Sequence, residues 1–311
     1  MRPVHFLALL LGSFFFASGS DGSETDRRGP PAALPSERRG PPEFYELQAD
    51  AVWIPDSNTE GVGGDGEFSE NRYSVNLGWS RFAAPNNISR IEATYAHRDY
   101  DITGNNLYSG SFDRVNALRL QTTFERPFAD RWSAFTWAGL SVQAAEGADL
   151  FDGWNIPFAA GVGYMFSEEL VVVGGVLGIV EAETDGKIIP IVSLRWRPND
   201  RFTLLTLNGV LASYKMGGRK QWTLVGSVLY QTFVFAVEDL EGFDQERGVI
   251  SQEYWLGRLG LERSFGRQFE VGVYIEGRFN RKFEYFRDEK EFAGFDVDPG
   301  AGLRFSGTYR F

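Results

Sequence analysis

The sequence contains no cysteine, which excludes a disulfide framework and a lipid anchor built on a cysteine at a cleavage point. Histidine is nearly missing as well: there are two, and one, His5, lies in the first nineteen residues. The apolar stretches 6–16 and 170–180 stop short of the about 20 residues that a membrane-crossing helix needs, and no segment keeps a helical period beyond two turns. Basic charge is also short, with 31 Lys and Arg against 42 Asp and Glu and a net charge of −11. A chain of that balance lacks the basic patch that phosphate neutralisation requires, so nucleic-acid binding is excluded as a class.

The chain is instead rich in aromatics (27 Phe, 12 Tyr and 8 Trp) and in glycine, at 36 residues. These favour strands and turns over long helices. Mean hydropathy is −0.25, an ordinary average that hides a strongly patterned chain. Residues 1–19 read as a secretory signal: Arg2 supplies the charged start, 6–16 the apolar core, and Ala17, Ser18 and Gly19 the small residues for cleavage near Gly19 or Ser20. Losing Arg2 and no acid takes the charge from −11 to −12. Residues 20–43 hold Pro, Gly and charge with almost nothing bulky and apolar, and read as a disordered tether. RRGPP occurs there twice, at 27–31 and 38–42, as a docking motif for a partner or as plain solvated linker.

From Phe44 onward the pattern becomes short alternating runs punctuated by turn residues. Strands are expected at 44–54, 70–82, 88–100, 111–126, 131–144, 154–166, 169–182, 187–197, 201–207, 210–216, 220–238, 251–264, 268–284 and 297–311. The ninth and tenth depend on Asn208-Gly209, a dipeptide suited to a two-residue hairpin. Within the strands one face is apolar with aromatics near its ends, such as Tyr73, Val75, Leu77 and Trp79, and the other is polar, such as Ser74, Asn76, Gly78 and Ser80. In 268–284, Val271, Val273, Ile275, Gly277 and Phe279 oppose Glu270, Gly272, Tyr274, Glu276, Arg278 and Asn280. Strand length separates a half-buried sheet from a membrane barrel: sandwich strands run about 5 to 6 residues, membrane-crossing strands about 9 to 11, and most of these segments reach ten or more. Short connections (84–87, 127–130, 167–168, 198–200, 217–219, 266–267) alternate with a second set (55–69, 101–110, 145–153, 183–186, 239–250, 285–296) if Asn208-Gly209 is a tight hairpin of that second set, as in barrels with tight turns at one end and loops at the other.

The final run GLRFSGTYRF places Leu303, Phe305, Tyr309 and Phe311 at alternate positions and ends on an aromatic. With the signal segment and the alternating strands, residues 44–311 resemble bacterial outer-membrane β-barrel proteins, a porin-like barrel of the uncharacterised kind; Gly307 departs from the bulkier residue usual at its place. The resemblance implies an all-β, antiparallel transmembrane barrel of about fourteen strands, or twelve if 201–216 is not split, located in the cell outer membrane. It implies that Leu303, Phe305, Tyr309 and Phe311 are read by the barrel assembly machinery, that the exterior meets outer-membrane lipids and lipopolysaccharide, and that 20–43 is a periplasmic linker with room for a periplasmic partner.

Chemistry is sparse. The single mature histidine, His97, falls on the apolar face with Ile91, Ala93 and Tyr95, and a catalytic use would need Ser80 or Ser109 beside it. A lipid-modifying enzyme centred on His97 is therefore the alternative to a passive channel or binding barrel; a structural anchor and a soluble sandwich complete the alternatives. The polar faces carry Glu46, Asp50, Glu92, Arg98, Glu125, Arg197 and Glu262, together with Arg119, Arg195, Arg258, Glu276, Arg278 and Arg304, the last six being the expected lumen or pore-lining set. Two readings stay open: walls of an aqueous pore, or an ion-paired interior that satisfies itself. Acidic residues in the long connections (Asp239, Glu241, Asp244, Glu246; Asp288, Glu289, Glu291, Asp296, Asp298) lack the fixed ligand spacing of a calcium loop. No metal site, cofactor or catalytic residue is assigned.

Overall fold

In the computed structural model, residues 43–61, 65–83, 87–104, 112–182, 186–206, 209–218, 221–238, 248–287 and 290–311 are described. The expected signal segment, the expected tether up to Pro42, Ser109, Asn208, Asp239, Glu241, Asp244, Glu246, Asp288 and Glu289 lie outside them, while Glu43, expected in the tether, opens the first strand. The described chain folds into β1 (Glu43–Gly61), β2 (Gly66–Ala83), β3 (Asn87–Thr103), β4 (Arg114–Ala129), β5 (Trp132–Ala145), β6 (Trp154–Met165), β7 (Leu170–Glu181), β8 (Lys187–Trp196), β9 (Phe202–Thr206), β10 (Gly209–Met216), β11 (Trp222–Val237), β12 (Gly248–Phe265), β13 (Phe269–Arg287), β14 (Lys290–Val297) and β15 (Gly300–Arg310). From β1 to β14 each strand pairs antiparallel with its sequence neighbours, and β15 lies between β13 and β1, which closes the sheet.

Fifteen strands make fourteen staves, because β14 and β15 are consecutive parts of the last one: β1 pairs with β15 from Glu46 to Trp53 and with β14 from Thr59 to Gly61. Pro299, which has no N–H to give a ladder, sits at the break. The split at 208–209 holds, with Val210 opposite Thr206 and Tyr214 opposite Phe202, so the count is fourteen and the twelve-strand alternative falls. The seam closes through Tyr45 N–H to Phe311 O at 2.8 Å and Phe311 N–H to Tyr45 O at 3.0 Å. No unpaired edge is left there for hydrocarbon to meet.

Around the wall a band of large apolar side chains points outward and stays exposed, among them Trp53, Leu77, Leu120, Val192, Ile275 and Phe305. Water would make such a surface an aggregation site; the hydrocarbon of a bilayer is the solvent that suits it. The fold therefore defines a transmembrane β-barrel of the outer membrane.

Two of the long outer connections are mostly strand, which corrects the loop expectation for 55–69 and 285–296: β1 runs on to Gly61, β2 starts at Gly66, and β13 and β14 cover nearly all of 285–296. Glu291 and Asp296 accordingly belong to β14 rather than to a loop, and Asp298 lies between β14 and β15. In these extensions the two faces exchange character. Below Tyr73 the outward face of β2 is apolar; above it come Asn71, Ser69 and Glu67, while Phe68 turns inward and is buried. On β3, Asp99 and Asp101 take the outward positions, and Tyr100 and Ile102 the inward ones. That reversal is what leaving lipid for water requires.

The staves also differ in height. β6 to β10 end near the outer rim of the apolar band, whereas β1 to β5 and β11 to β14 continue beyond it. Above the short staves β5 and β11 meet directly, as a parallel pair with Ala144 opposite Ala236, parallel because both run upward. The upper nine staves thus form a second, narrower ring. Gly153 sits in this closure with its C=O accepting from Gln143 N–H at 3.1 Å, and a Cβ there would collide with the Gln143 carbonyl and crowd the Ala236 nitrogen.

The transition between the rings is marked on several staves. Register shifts fall between Ile54 and Ser57 on β1 and between Glu253 and Trp255 on β12. Asn280 on β13 has φ 50°, the one positive-φ non-glycine among the described residues, a conformation asparagine tolerates better than most. The shift moves β13 out of phase, so Asn280 is exposed rather than inward as alternation predicts, and Arg281, Phe283 and Tyr285 face inward. Bulges of this kind sharpen curvature, which a ring narrowing from fourteen staves to nine demands.

Candidate functional site

The upper ring is filled. Phe68, Tyr100, Ile102, Phe112, Phe235 and Phe283 form the centre of a buried apolar cluster that also takes in Tyr285, Phe295 and smaller residues. The rings pack at centroid distances from 4.7 Å, for the stacked Phe283 and Phe295, to 6.4 Å, for Tyr100 and Phe235, the range in which aromatic pairs attract beyond their area burial. This cap covers the outer end of the lumen.

Beneath it lies a layer of buried charge. Glu70 on β2 accepts from Arg278 and Arg281 of β13; all three are at most 2% exposed. With its amide turned so that Oε1 faces Arg281, Gln252 donates from Nε2 to Tyr100 Oη at 3.2 Å, tying this layer to the cap. The Arg281 guanidinium lies over Phe68 at 4.2 Å and that of Arg278 over Tyr254 at 4.9 Å, so apolar rings and cations share one interface. Glu276, fully buried, receives Arg258 Nη2 at 2.9 Å, Arg278 Nη2 at 3.4 Å and Arg72 at 3.6 Å. Lower down, Arg304 pairs with Asp50 at 2.6 Å, Arg90 bridges Glu92 at 2.7 Å and Glu46 at 3.4 Å, and Arg310 reaches Glu46 at 2.8 Å.

Of the six residues expected to line the lumen, Arg258, Glu276, Arg278 and Arg304 are thus joined in ion pairs across β12, β13, β15 and β1. Arg119 on β4 faces the same space, opposite Thr94 and Ser141, without an ion pair among the described residues. Arg195 stands apart on β8, opposite Val171 and Leu205 near the short-turn end. Alternation missed Arg281, whose phase is set by the shift at Asn280, and Glu70, which opened its expected strand without being read as a lumen residue.

The opposite wall is different in kind. On β5 to β8 the inward side chains Trp137, Ala159, Leu177, Ile179 and Ile191 form a buried apolar cluster, with Phe135 and Ile189 packed against it. The lumen therefore has an arginine and carboxylate cluster on β12, β13, β15, β1 and β2 facing an apolar cluster on β5 to β8.

His97 lies on the outer surface, as its alternation indicates. Its Nδ1 is 2.9 Å from Asn116 Oδ1 and its Nε2 is 3.0 Å from Asp99 Oδ1, while Tyr95 donates to the same Asn116 oxygen at 2.8 Å. Ser80 does not approach it: His97 pairs with Tyr73, whereas Ser80 pairs with Arg90 at the other end of β2 and is buried. Leu303, Phe305, Tyr309 and Phe311 all project outward and are exposed, with Phe311 stacked on Tyr45 at 5.7 Å and on Tyr309 at 5.8 Å.

No protein-family model matches the sequence, and no curated protein matches it. Solved structures share its architecture. An outer membrane channel from Pseudomonas putida F1 is similar at 10% identity over 90% of this chain and 100% of that one, with a TM-score of 0.49. A mutant of the TodX monoaromatic hydrocarbon channel shows 10% identity over 88% and 91%, with a TM-score of 0.46, and a Pseudomonas aeruginosa FadL homologue 10% over 87% and 90%, with a TM-score of 0.43. These resemblances concern the barrel alone and carry no lumen residue over to this chain.

Proposed function

We propose that the chain is a passive, non-enzymatic barrel of channel type, closed at rest toward the outside, that binds or passes a solute through the lumen below its cap. The observation that carries this reading is the aromatic filling of the upper ring above a lumen that is polar on one side and apolar on the other. Arg119, Arg195, Arg258, Glu276, Arg278 and Arg304 are the polar lining in this reading, with four of them held in fixed ion pairs that keep the wall rigid. His97, with Asn116 and Asp99 on its two nitrogens and no serine within reach among the described residues, has an interfacial role and not a catalytic one. Leu303, Phe305, Tyr309 and Phe311 serve as the assembly signal for the barrel machinery and meet membrane lipid and lipopolysaccharide, and 20–43 is a periplasmic tether.

Planar-bilayer recording tests the reading. Wild-type barrel is expected to show no steady large conductance, and the double variant F283A/F295A, which empties part of the cap, is expected to show discrete openings. A steady ohmic conductance in the wild type would refute the closed resting state; silence in both proteins, each verified as folded by heat-modifiable gel migration, would refute the channel.

A further inference from the structure

Unlike the paired arginines on β12, β13 and β15, Arg98 and Arg119 have no ion pair among the described residues. Arg98 on β3 is 4% exposed and its guanidinium crosses the space under the cap to lie 3.9 Å over the Phe233 ring of β11. Its Nη1 has no hydrogen-bond partner; it is within electrostatic reach of Glu70, but that carboxylate already receives Arg278 and Arg281, and no ion pair reaches Arg98 among the described residues. Arg119 is within electrostatic reach of Arg98 and of Glu92, yet its Nε is buried without a partner, and Glu92 is already taken by Arg90 and Gln121. The register sets the two arginines on adjacent staves: Arg98 is opposite Val115 and Arg119 opposite Thr94, with Ala96 and Ala117 between them. These two small side chains put no bulky group between the two arginines along the staves.

The next stave adds polar atoms at the same height. Ser141 of β5 is opposite Arg119, and Gln143 is opposite Ala117; both are buried, and Ser141 Oγ and Gln143 Oε1 also lack partners. Two cations that repel each other, a hydroxyl and an amide, each with one buried polar atom left without a partner on three consecutive staves, would be costly unless a ligand completes them. A guanidinium prefers a planar oxyanion that it can meet with two N–H groups. The serine O–H, and the amide once turned by half a rotation, supply two further donors. Along β5, Trp137 follows Ser141 on the same inward face with Gly139 between, and opens the apolar wall of Ala159, Leu177 and Ile179.

From this placement we infer that Arg98, Arg119, Ser141 and Gln143 form a subsite for the carboxylate of a small organic acid whose apolar body lies down the wall from Trp137. The inference rests on the reading of the lumen as a solute-handling space, and names the chemistry of that solute.

Titration calorimetry on the purified full barrel in non-ionic detergent tests it, with benzoate, acetate and benzyl alcohol as probes. Benzoate is expected to bind wild type; R98Q and R119Q are each expected to weaken it by at least about tenfold, and S141A by less. Benzyl alcohol, lacking the charge, and acetate, lacking the apolar body, are expected to bind at least about tenfold more weakly than benzoate. Both Gln variants are expected to resist denaturant as well as wild type or better, since neither leaves a carboxylate orphaned; a marked loss of stability would show that the pair is structural and would overturn the inference. So would benzoate binding that is absent, or unchanged in both variants, or matched by benzyl alcohol; acetate binding as tightly as benzoate would overturn the apolar half of the site. If the arginine-dependent binding holds while bilayers stay silent in wild type and F283A/F295A, the subsite stands and the channel reading falls.

Discussion

Replacing Glu70 with glutamine tests the charge layer under the cap. Glu70 is 1% exposed and accepts from both Arg278 and Arg281, each 2% exposed. Arg278 keeps a second carboxylate, Glu276, at 3.4 Å; Arg281 has no other ion pair among the described residues. Removing one partner of a buried ion pair costs roughly 3–5 kcal/mol, because the remaining charge stays desolvated without compensation. The amide retains an acceptor oxygen and Gln252 stays beside Arg281, so E70Q is expected at the lower end, about 3 kcal/mol. The control is E70M/R278M/R281M, which removes the charges together and replaces them with adaptable apolar side chains. It is expected within about 1 kcal/mol of wild type or above it. Urea unfolding of barrel inserted in lipid vesicles, followed by tryptophan fluorescence and by gel mobility, gives the free energies. An E70Q loss below about 1 kcal/mol, or a triple variant as unstable as the single one, would show that the layer is not the desolvated network described.

Two further outcomes probe the membrane portion. I275R places a charge on the lipid-facing side of β13, between Val273 and Gly277, and is expected to cost about 2–4 kcal/mol of vesicle stability if that position is at mid-membrane; a loss near zero would show that the exterior band is not in hydrocarbon. G175V builds a side chain against β6, since a Cβ on Gly175 would collide with the Ala160 carbonyl and press on the Gly161 Cα at 2.8 Å; it is expected to abolish the fast-migrating folded band on unheated gels, and normal migration would refute the close packing.

The fourteen staves were legible in the sequence because lipid imposes a simple demand: every second residue apolar for seven or more positions, as in Tyr73 to Trp79 or Val271 to Phe279. Face assignments such as Arg258, Glu276 and Arg304 inward followed from the same period. The cap was only partly legible: Phe68, Ile102 and Phe295 come from stretches dense in charge and glycine that read as loops, while Tyr100, Phe112, Phe235 and Phe283 sit in or at the ends of expected strands with nothing to show that they meet. Phe68 lies among Glu67, Ser69 and Glu70, and Phe295 among Gly294 and Asp296. A signal was present in the exchange of faces past Tyr73 and His97, where outward residues become polar while inward ones become aromatic. The phase slip at Asn280 was invisible to strict alternation, so Arg281 was misplaced. Nor does periodicity along a strand reveal which staves are short, and the contact of β5 with β11 depends on that difference in height.

The interruptions at Ile54, Glu253, Asn280 and Pro299 fall on four staves around the neck where the wide ring gives way to the narrow one. A ladder broken there lets the two halves behave as separate cooperative units. The upper one is held by aromatic packing in water and so weakens on cooling, whereas the lower one is held by backbone bonds that have no alternative partner in the bilayer. Amide exchange in Phe68, Ile102 and Phe283 is then expected to quicken relative to Leu77 and Ile275 as temperature falls, giving this one chain two melting behaviours.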